Sequence, residues 1–127
     1  MKITKVTPVL FVDAIEPALA LWTGPLGYEK QVEVPHEGRA GFVLLTRGGQ
    51  EVMMQTRASI EADVPAVAKL GITSALYMDV ESLEEAIAAV KGAEVLVPPR
   101  ETFYGATEIF IRDAAGNVLG FAQHAAR

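Results

Sequence analysis

Two carboxylates stand inside apolar, strand-like runs: Asp79 at the end of Ile72–Val80, and Glu108 near the start of Thr107–Arg112. A carboxyl group among apolar side chains is disfavoured in its charged form. That makes it a candidate general acid or base, or a counter-ion for a cationic ligand group. The plainer reading of both is as strand charges at a solvated edge. The chain has two His residues, His36 and His124, too far apart in sequence to form a metal motif on their own. His36 follows Pro35 in a loop and reads as solvated, and His124 lies close to the chain end and reads as structural or exposed. Ser59, Ser74 and Ser82 lack a nucleophile elbow or a paired base. Cys is absent, which excludes disulfides, thiolate catalysis and Cys-based zinc or iron–sulfur sites.

These groups must be positioned by 127 residues, enough for one domain, 1–127. Half the residues are hydrophobic and 21% are charged, a globular mix. The net charge is −5 and the 11 Lys and Arg are scattered, which argues against nucleic acid as a partner. No apolar stretch approaches the roughly 18–20 residues of a membrane span, so no membrane partner is expected. Met1-Lys2-Ile3-Thr4-Lys5 leads into a strand-like run, not a signal peptide, so a cytoplasmic location is expected.

The chain repeats itself. Thr7–Gly24 aligns without gaps on Ala75–Gly92, with identities at Val12/Val80, Glu16/Glu84, Ala18/Ala86, Ala20/Ala88 and Gly24/Gly92. Ile15, Leu19 and Trp22 form one apolar helical stripe; Leu83, Ile87 and Val90 form another at the same spacing. Trp22 in such a stripe reads as core. Asp13-x-x-Glu16 and Ser82-x-x-Glu85 are capping signatures ahead of these helices, and Pro17 suits a first turn. Strand-like runs precede each helix (Ile3–Val12, Ile72–Val80). Others follow: Tyr28–Val34, Gly41–Thr46 and Glu51–Thr56, then Glu94–Val97, Thr107–Arg112 and Asn117–Gln123. Gly49 and Gly116 fall in the turns where a positive φ is expected. Each repeat is thus β-α-β-β-β: repeat one about 3–56, a linker 57–71 with one short helical turn at Ala66–Leu70, and repeat two about 72–124. The fold class is α+β, with the two repeats forming a curved eight-stranded mixed sheet around a concave pocket. The sequence leaves open whether the repeats pair within one chain or between two.

This layout resembles the vicinal-oxygen-chelate superfamily of glyoxalases, extradiol dioxygenases, fosfomycin-resistance enzymes and bleomycin-resistance proteins. Tyr104-Gly105, followed by Asp113-Ala114-Ala115-Gly116-Asn117, is similar to the family's Tyr-Gly…Asp-Pro-Asp-Gly-Asn stretch, with Ala114-Ala115 in place of Pro-Asp. Leu21-Trp22 with Leu26-Gly27-Tyr28 is similar to the family's first helix and its Leu-Gly-Phe exit. Family enzymes hold a divalent metal on four His, Glu or Gln side chains. Carried over position by position, those places fall on Thr7, Met53, Ala75 and Gly120, none of them a strong ligand. No metal and no other cofactor is therefore expected.

If Thr7 faces the pocket, strand alternation adds Val9 and Phe11, and in turn Ala75, Tyr77 and Asp79, Met53 and Gln55, and Gly120, Ala122 and His124. Pairing with Gly41, Val43 and Leu45 adds Glu108, Phe110 and Arg112, and Pro98–Gly105 becomes a rim loop bearing Phe103 and Tyr104. The candidate ligand-binding set is Thr7, Phe11, Met53, Gln55, Tyr77, Asp79, Phe103, Tyr104, Glu108, Phe110 and Arg112. Such a lining suits a flat hydrophobic or aromatic, antibiotic-like small molecule. Asp79 or Glu108 would face a cationic group unless Arg112 neutralises Glu108 from within. The expected activity is sequestration of that ligand by a homodimer of the bleomycin-resistance type. The alternatives are a lyase or isomerase working through Glu108 or Asp79, or through a metal held by Glu108, His124 and Gln55, and a protein-interaction module.

Overall fold

The structure is a computed structural model that describes residues 1–125; the last two residues of the expected domain, Ala126 and Arg127, lie outside them. The strands are β1 (Ile3–Val12), β2 (Glu29–His36), β3 (Arg39–Arg47), β4 (Gln50–Thr56), β5 (Ser74–Val80), β6 (Glu94–Glu101), β7 (Ala106–Arg112) and β8 (Val118–His124). The helices are α1 (Glu16–Thr23), α2 (Arg57–Asp63), α3 (Pro65–Ala68) and α4 (Leu83–Ala89). The fold is α+β, and the eight strands belong to one mixed sheet. The chain divides into two compact units, Pro8–Ser74 and Met1–Thr7 with Ala75 onward. The linker thus belongs with repeat one, and the start of β1 belongs with repeat two.

In the unit Pro8–Ser74 the strand order is β2-β3-β4-β1, antiparallel except for the parallel β1–β4 pair. The core beneath α1 is Ile15, Ala40, Val43, Leu45 and Met54, with Leu10, Val12, Leu19, Trp22 and Tyr28 packed at its margin. The Ile15–Leu19–Trp22 stripe therefore does the packing expected of it. Val43 and Leu45 face this helix and not the opposite side. Phe42 and Leu44 are the β3 residues paired with Gln55 and Met53. The expected face of β3 is reversed because its hairpin turns on Gly48-Gly49 between Arg47 and Gln50, while its counterpart turns on five residues between Arg112 and Val118. Two hairpins of unequal turn length do not stay in one register.

The start of α1 also differs from the capping signature. Its N-cap is Ile15 with no side-chain bond; Asp13 lies too early and pairs with Arg57 at 3.3 Å. Glu16 instead accepts from the Ala40 N–H at 3.0 Å, fixing the helix to β3. The linker is more ordered than one turn. Thr56 caps α2 by accepting from the Ser59 N–H, and Ile60, Val64 and Val67 are buried. The positive φ of the first hairpin is at Gly48, not Gly49.

In the other unit the order is β5-β8-β7-β6, with β5–β8 parallel and the rest antiparallel. Val80, Leu83, Ala86, Ile109, Ile111 and Phe121 form the core under α4, with Val90 against it; Ile87 of the expected stripe is exposed. Ser82 caps α4 as its signature requires, accepting from the Glu85 N–H at 3.2 Å. The turn before β8 is held by Asp113, which accepts from the backbone N–H groups of Ala115 and Asn117 and from the Asn117 side-chain amide. These bonds, the Asn117 side chain first, hold the Asp113 carboxyl below its ordinary range. Ala114 and Ala115 give no side chain to these bonds, so the turn survives their replacement of the family's Pro-Asp. Ser82→Ala is expected to cost about 1 kcal/mol and Asp13→Ala less than about 0.5 kcal/mol, read as shifts in the urea midpoint; equal costs would mean the caps are misassigned.

Candidate functional site

The side of β5-β8-β7-β6 away from α4 is ordered by register. Tyr77, Gly120 and Phe110 lie in one row across three strands. Asp79, Ala122, Glu108 and Arg100 lie in the next row, across four. Alternation makes this face, since Ile109, Ile111 and Phe121 are committed to the opposite core.

Glu108 is completely buried. Its Oε1 accepts from Arg100 Nε at 3.2 Å and Nη2 at 2.8 Å. Its Oε2 accepts the Tyr77 hydroxyl at 2.5 Å. The Tyr104 hydroxyl donates between the two oxygens, at 2.9 and 2.8 Å. A buried carboxylate without such partners would be far too costly; here every lone pair is met. Burial first, and then the Glu108 charge, pushes the Tyr77 phenol well above its usual range, so Tyr77 is a fixed proton donor.

The aromatic rings follow from this cluster. Tyr77 and Phe110 are tilted against each other with centroids 6.3 Å apart. Phe103 stands edge-on to Tyr104 at 5.0 Å and is 83% exposed. Phe110 and Tyr77 also crowd Gly120: a Cβ there would come within 2.7 Å of Phe110 Cε1 and 3.1 Å of Tyr77 Cδ1.

Asp79 has a different environment. Its Oδ2 is 3.5 Å from Lys5 Nζ, and its buried Oδ1 is 2.9 Å from His124 Nε2 without the geometry of a hydrogen bond. Arg112 does not neutralise Glu108. It makes a bidentate pair with Glu94 at the far end of β7, because the length of the strand carries it away from the Glu108 carboxylate.

The residue that sequence reasoning missed is Arg100. Pro98-Pro99 suggested that β6 had ended, but the strand runs on to Glu101 with irregular pairing after Val95 and Val97. An edge strand tolerates prolines, because the N–H groups they remove are not required by a second neighbour. Counting back across the Thr102–Gly105 turn would have placed Arg100 opposite Glu108. Of the other candidates, Thr7 is fully buried in the same unit. Phe11, Met53 and Gln55 belong to the Pro8–Ser74 unit. There Phe11 is buried, Met53 is half-buried, and Gln55 donates to the Ser59 hydroxyl at 3.0 Å.

A family model described as "Glyoxalase/Bleomycin resistance protein/Dioxygenase superfamily" matches residues 2–121. The chain belongs to this superfamily. No curated protein matches it in sequence. Solved structures that resemble it include a superfamily member from Vibrio splendidus 12B01, with 21% identity, coverage of 96% of this chain and 99% of that one, and a TM-score of 0.72. Methylmalonyl-CoA epimerase from Mycobacterium tuberculosis shares 18% identity over 98% of this chain and 90% of its own, with a TM-score of 0.72. A Staphylococcus aureus protein shares 19% identity over 98% and 100%, with a TM-score of 0.69. At these identities the likeness is one of fold.

The superfamily's metal does not fit the residues present. Thr7, Met53, Ala75 and Gly120 supply one alcohol and one thioether between them, and Gly120 cannot gain a side chain without displacing Phe110. Among the described residues no group of three His, Asp or Glu side chains stands in for them. Elemental mass spectrometry of protein dialysed without chelator is therefore expected to find far less than one divalent ion per chain; near-stoichiometric metal would mean another ligand set exists. A second expectation concerns alkaline pH. The unfolded chain loses the Tyr77 proton above about pH 10 and the folded chain keeps it. Stability should then fall with rising pH by up to about 1.4 kcal/mol per unit from this group. In Tyr77→Phe the fall should be shallower, and an unchanged slope in urea titrations would contradict the placement of that phenol.

Proposed function

We propose that the protein binds a flat, largely apolar small molecule against Tyr77, Phe110, Tyr104 and Phe103, and holds it without turnover. The observation that carries this reading is the state of Glu108: it is buried, charge-matched by Arg100 and saturated with donors. A general base needs an accessible lone pair aimed at a substrate proton. This carboxylate spends its lone pairs on fixing two tyrosine rings, and fixed rings are a recognition surface. A ligand counter-charge at Glu108 is likewise not needed, because Arg100 already provides it. The reading suits the bleomycin-resistance type of protein, in which stoichiometric capture of a toxic compound is the whole activity, and it requires no metal.

A second reading has its own support. Asp79 stands in the same row as Glu108 with Ala122 between them, and its Oδ1 has His124 beside it. An isomerase or lyase could use that Asp79–His124 pair for proton transfer, with the saturated Glu108 as a fixed negative charge. His124→Gln would abolish such turnover while leaving ligand affinity intact.

The binding reading is tested with benzofuran, a flat apolar probe without a hydrogen-bond donor, titrated by ligand-observed NMR. Phe103→Ala and Phe110→Ala are each expected to weaken binding about tenfold, the scale of a single aromatic pair. Undiminished affinity in both variants would remove this face as the binding surface.

A further inference from the structure

Independently of the aromatic face, we infer that the unit Pro8–Ser74 has a ligand site of its own, a cleft beside α2 and α3 that takes an apolar monocarboxylic acid. The carboxylate would sit between Arg57 and Lys69, and the apolar body against Phe11, Ile60 and Val67.

The cleft has a volume of about 370 Å³, within the range of small-molecule sites. A break in the linker creates it. Val64 precedes Pro65, and a residue before proline is driven out of the helical region; Val64 lies at φ −136° and ψ 72°. Helix α2 therefore stops, and α3 starts on Pro65, whose missing N–H costs little in a first turn. Ile60 of α2 and Val67 of α3 are both buried, and with the buried Phe11 of β1 they line the cleft. Past α3 the chain turns through Gly71, at φ +65°. A Cβ there would meet nothing within 4 Å, so the cleft is open on that side.

The charges at the cleft run against those of the chain. The chain carries −5, yet the cleft sets Arg57 and Lys69 against one carboxylate, Glu61. A local positive excess in an acidic protein draws an anion to that place. Arg57 is already positioned for one. Its Nη1 donates to the Ile72 carbonyl at 3.2 Å, and its Nε lies 3.3 Å from the Asp13 carboxylate. Its Nη2 donors meet no acceptor among the described residues. A guanidinium held in this way loses little freedom when a carboxylate arrives. Asp13 is 93% exposed, so its own pair with Arg57 is a weak surface one and does not exclude a ligand. Lys69 caps the end of α3, is exposed, and has no ion-pair partner among the described residues. Two cations beside one apolar cleft repel each other until an anion sits between them. A single negative charge cancels the excess. A phosphate dianion would exceed it, and a neutral apolar molecule would leave it unmet.

The experiment compares 2-naphthoate with 2-naphthamide, which share shape and differ in charge, by titration into ¹⁵N-labelled protein followed through its backbone amides. Three variants are used: Lys69→Met, Ala68→Phe, which fills the cleft from α3, and Lys91→Met, which removes an exposed lysine of the other repeat. Melting temperatures report folding. Naphthoate is expected to bind the wild type about fivefold more tightly than naphthamide, the scale of one exposed ion pair. Its shifts should centre on Arg57 and residues 68–72. Lys69→Met should remove most of that preference, Lys91→Met should leave it, and Ala68→Phe should weaken both probes. Equal affinity of the two probes for the wild type would overturn the carboxylate site. So would an unchanged preference in Lys69→Met, or an equal loss in Lys91→Met, which would mean general charge attraction only. Shifts confined to Tyr77 and residues 108–110 would overturn it as well, while supporting the aromatic face. Absence of naphthoate binding at millimolar concentration would overturn this site and leave the aromatic face to its own test.

Discussion

A charge buried with no exposure sets the terms for half of this molecule. Glu108 on β7 is buried among partners brought from three places in the chain: Arg100 from β6, Tyr77 from β5 and Tyr104 from the hairpin between β6 and β7. Removing one partner of such a pair costs about 3–5 kcal/mol, whereas forming it gains little over an apolar packing of the same volume. The cluster is thus weak as a source of stability and strong as a constraint. It fixes β6 to the sheet despite Pro98 and Pro99, and it orients the rings that make the face apolar.

The two repeats have diverged around that constraint. In one unit Val9 is paired with Met53 as Tyr77 is with Gly120 in the other, and Phe42 opposite Gln55 occupies the place that Glu108 has opposite Ala122. Where one repeat has an anion with its ring of donors, the other has a phenylalanine and an amide bonded to Ser59. Helices α2 and α3 follow β4 and bury Ile60, Val64 and Val67. Repeat one carries its extra material in packing; repeat two carries it in a polar network.

The sequence exposed most of the architecture, because the signals were periodic. The stripe under α1, the Ser82 cap and the placement of Ile109 and Ile111 all come from spacing alone. What spacing missed depended on chain-distant partners or on turn length. Arg100 was hidden by two prolines that usually end a strand. Arg112 looked like the natural partner of Glu108 by proximity in sequence, but it sits at the far end of the same strand and pairs across to Glu94. The face of β3 comes out reversed when a two-residue and a five-residue turn are treated as equivalent. The Asp13 signature failed for a local reason: the backbone enters α1 two residues later, and Asp13 went to Arg57 instead. Which residues face one another is a register problem, and a one-residue error reverses every side chain.

The crowding at Gly120 couples two positions in any substitution. A ligating side chain cannot be introduced at that position by one substitution without moving its neighbours, because any side chain added there meets Phe110 and Tyr77. Phe110 must shrink first, and shrinking it alone leaves a gap beside Tyr77 with no compensating gain. Neighbouring residues couple in this way, so that each change is harmful until the other is present. The glycine and the phenylalanine therefore act as a ratchet. With both in place, a side chain at position 120 requires a compensating change at position 110.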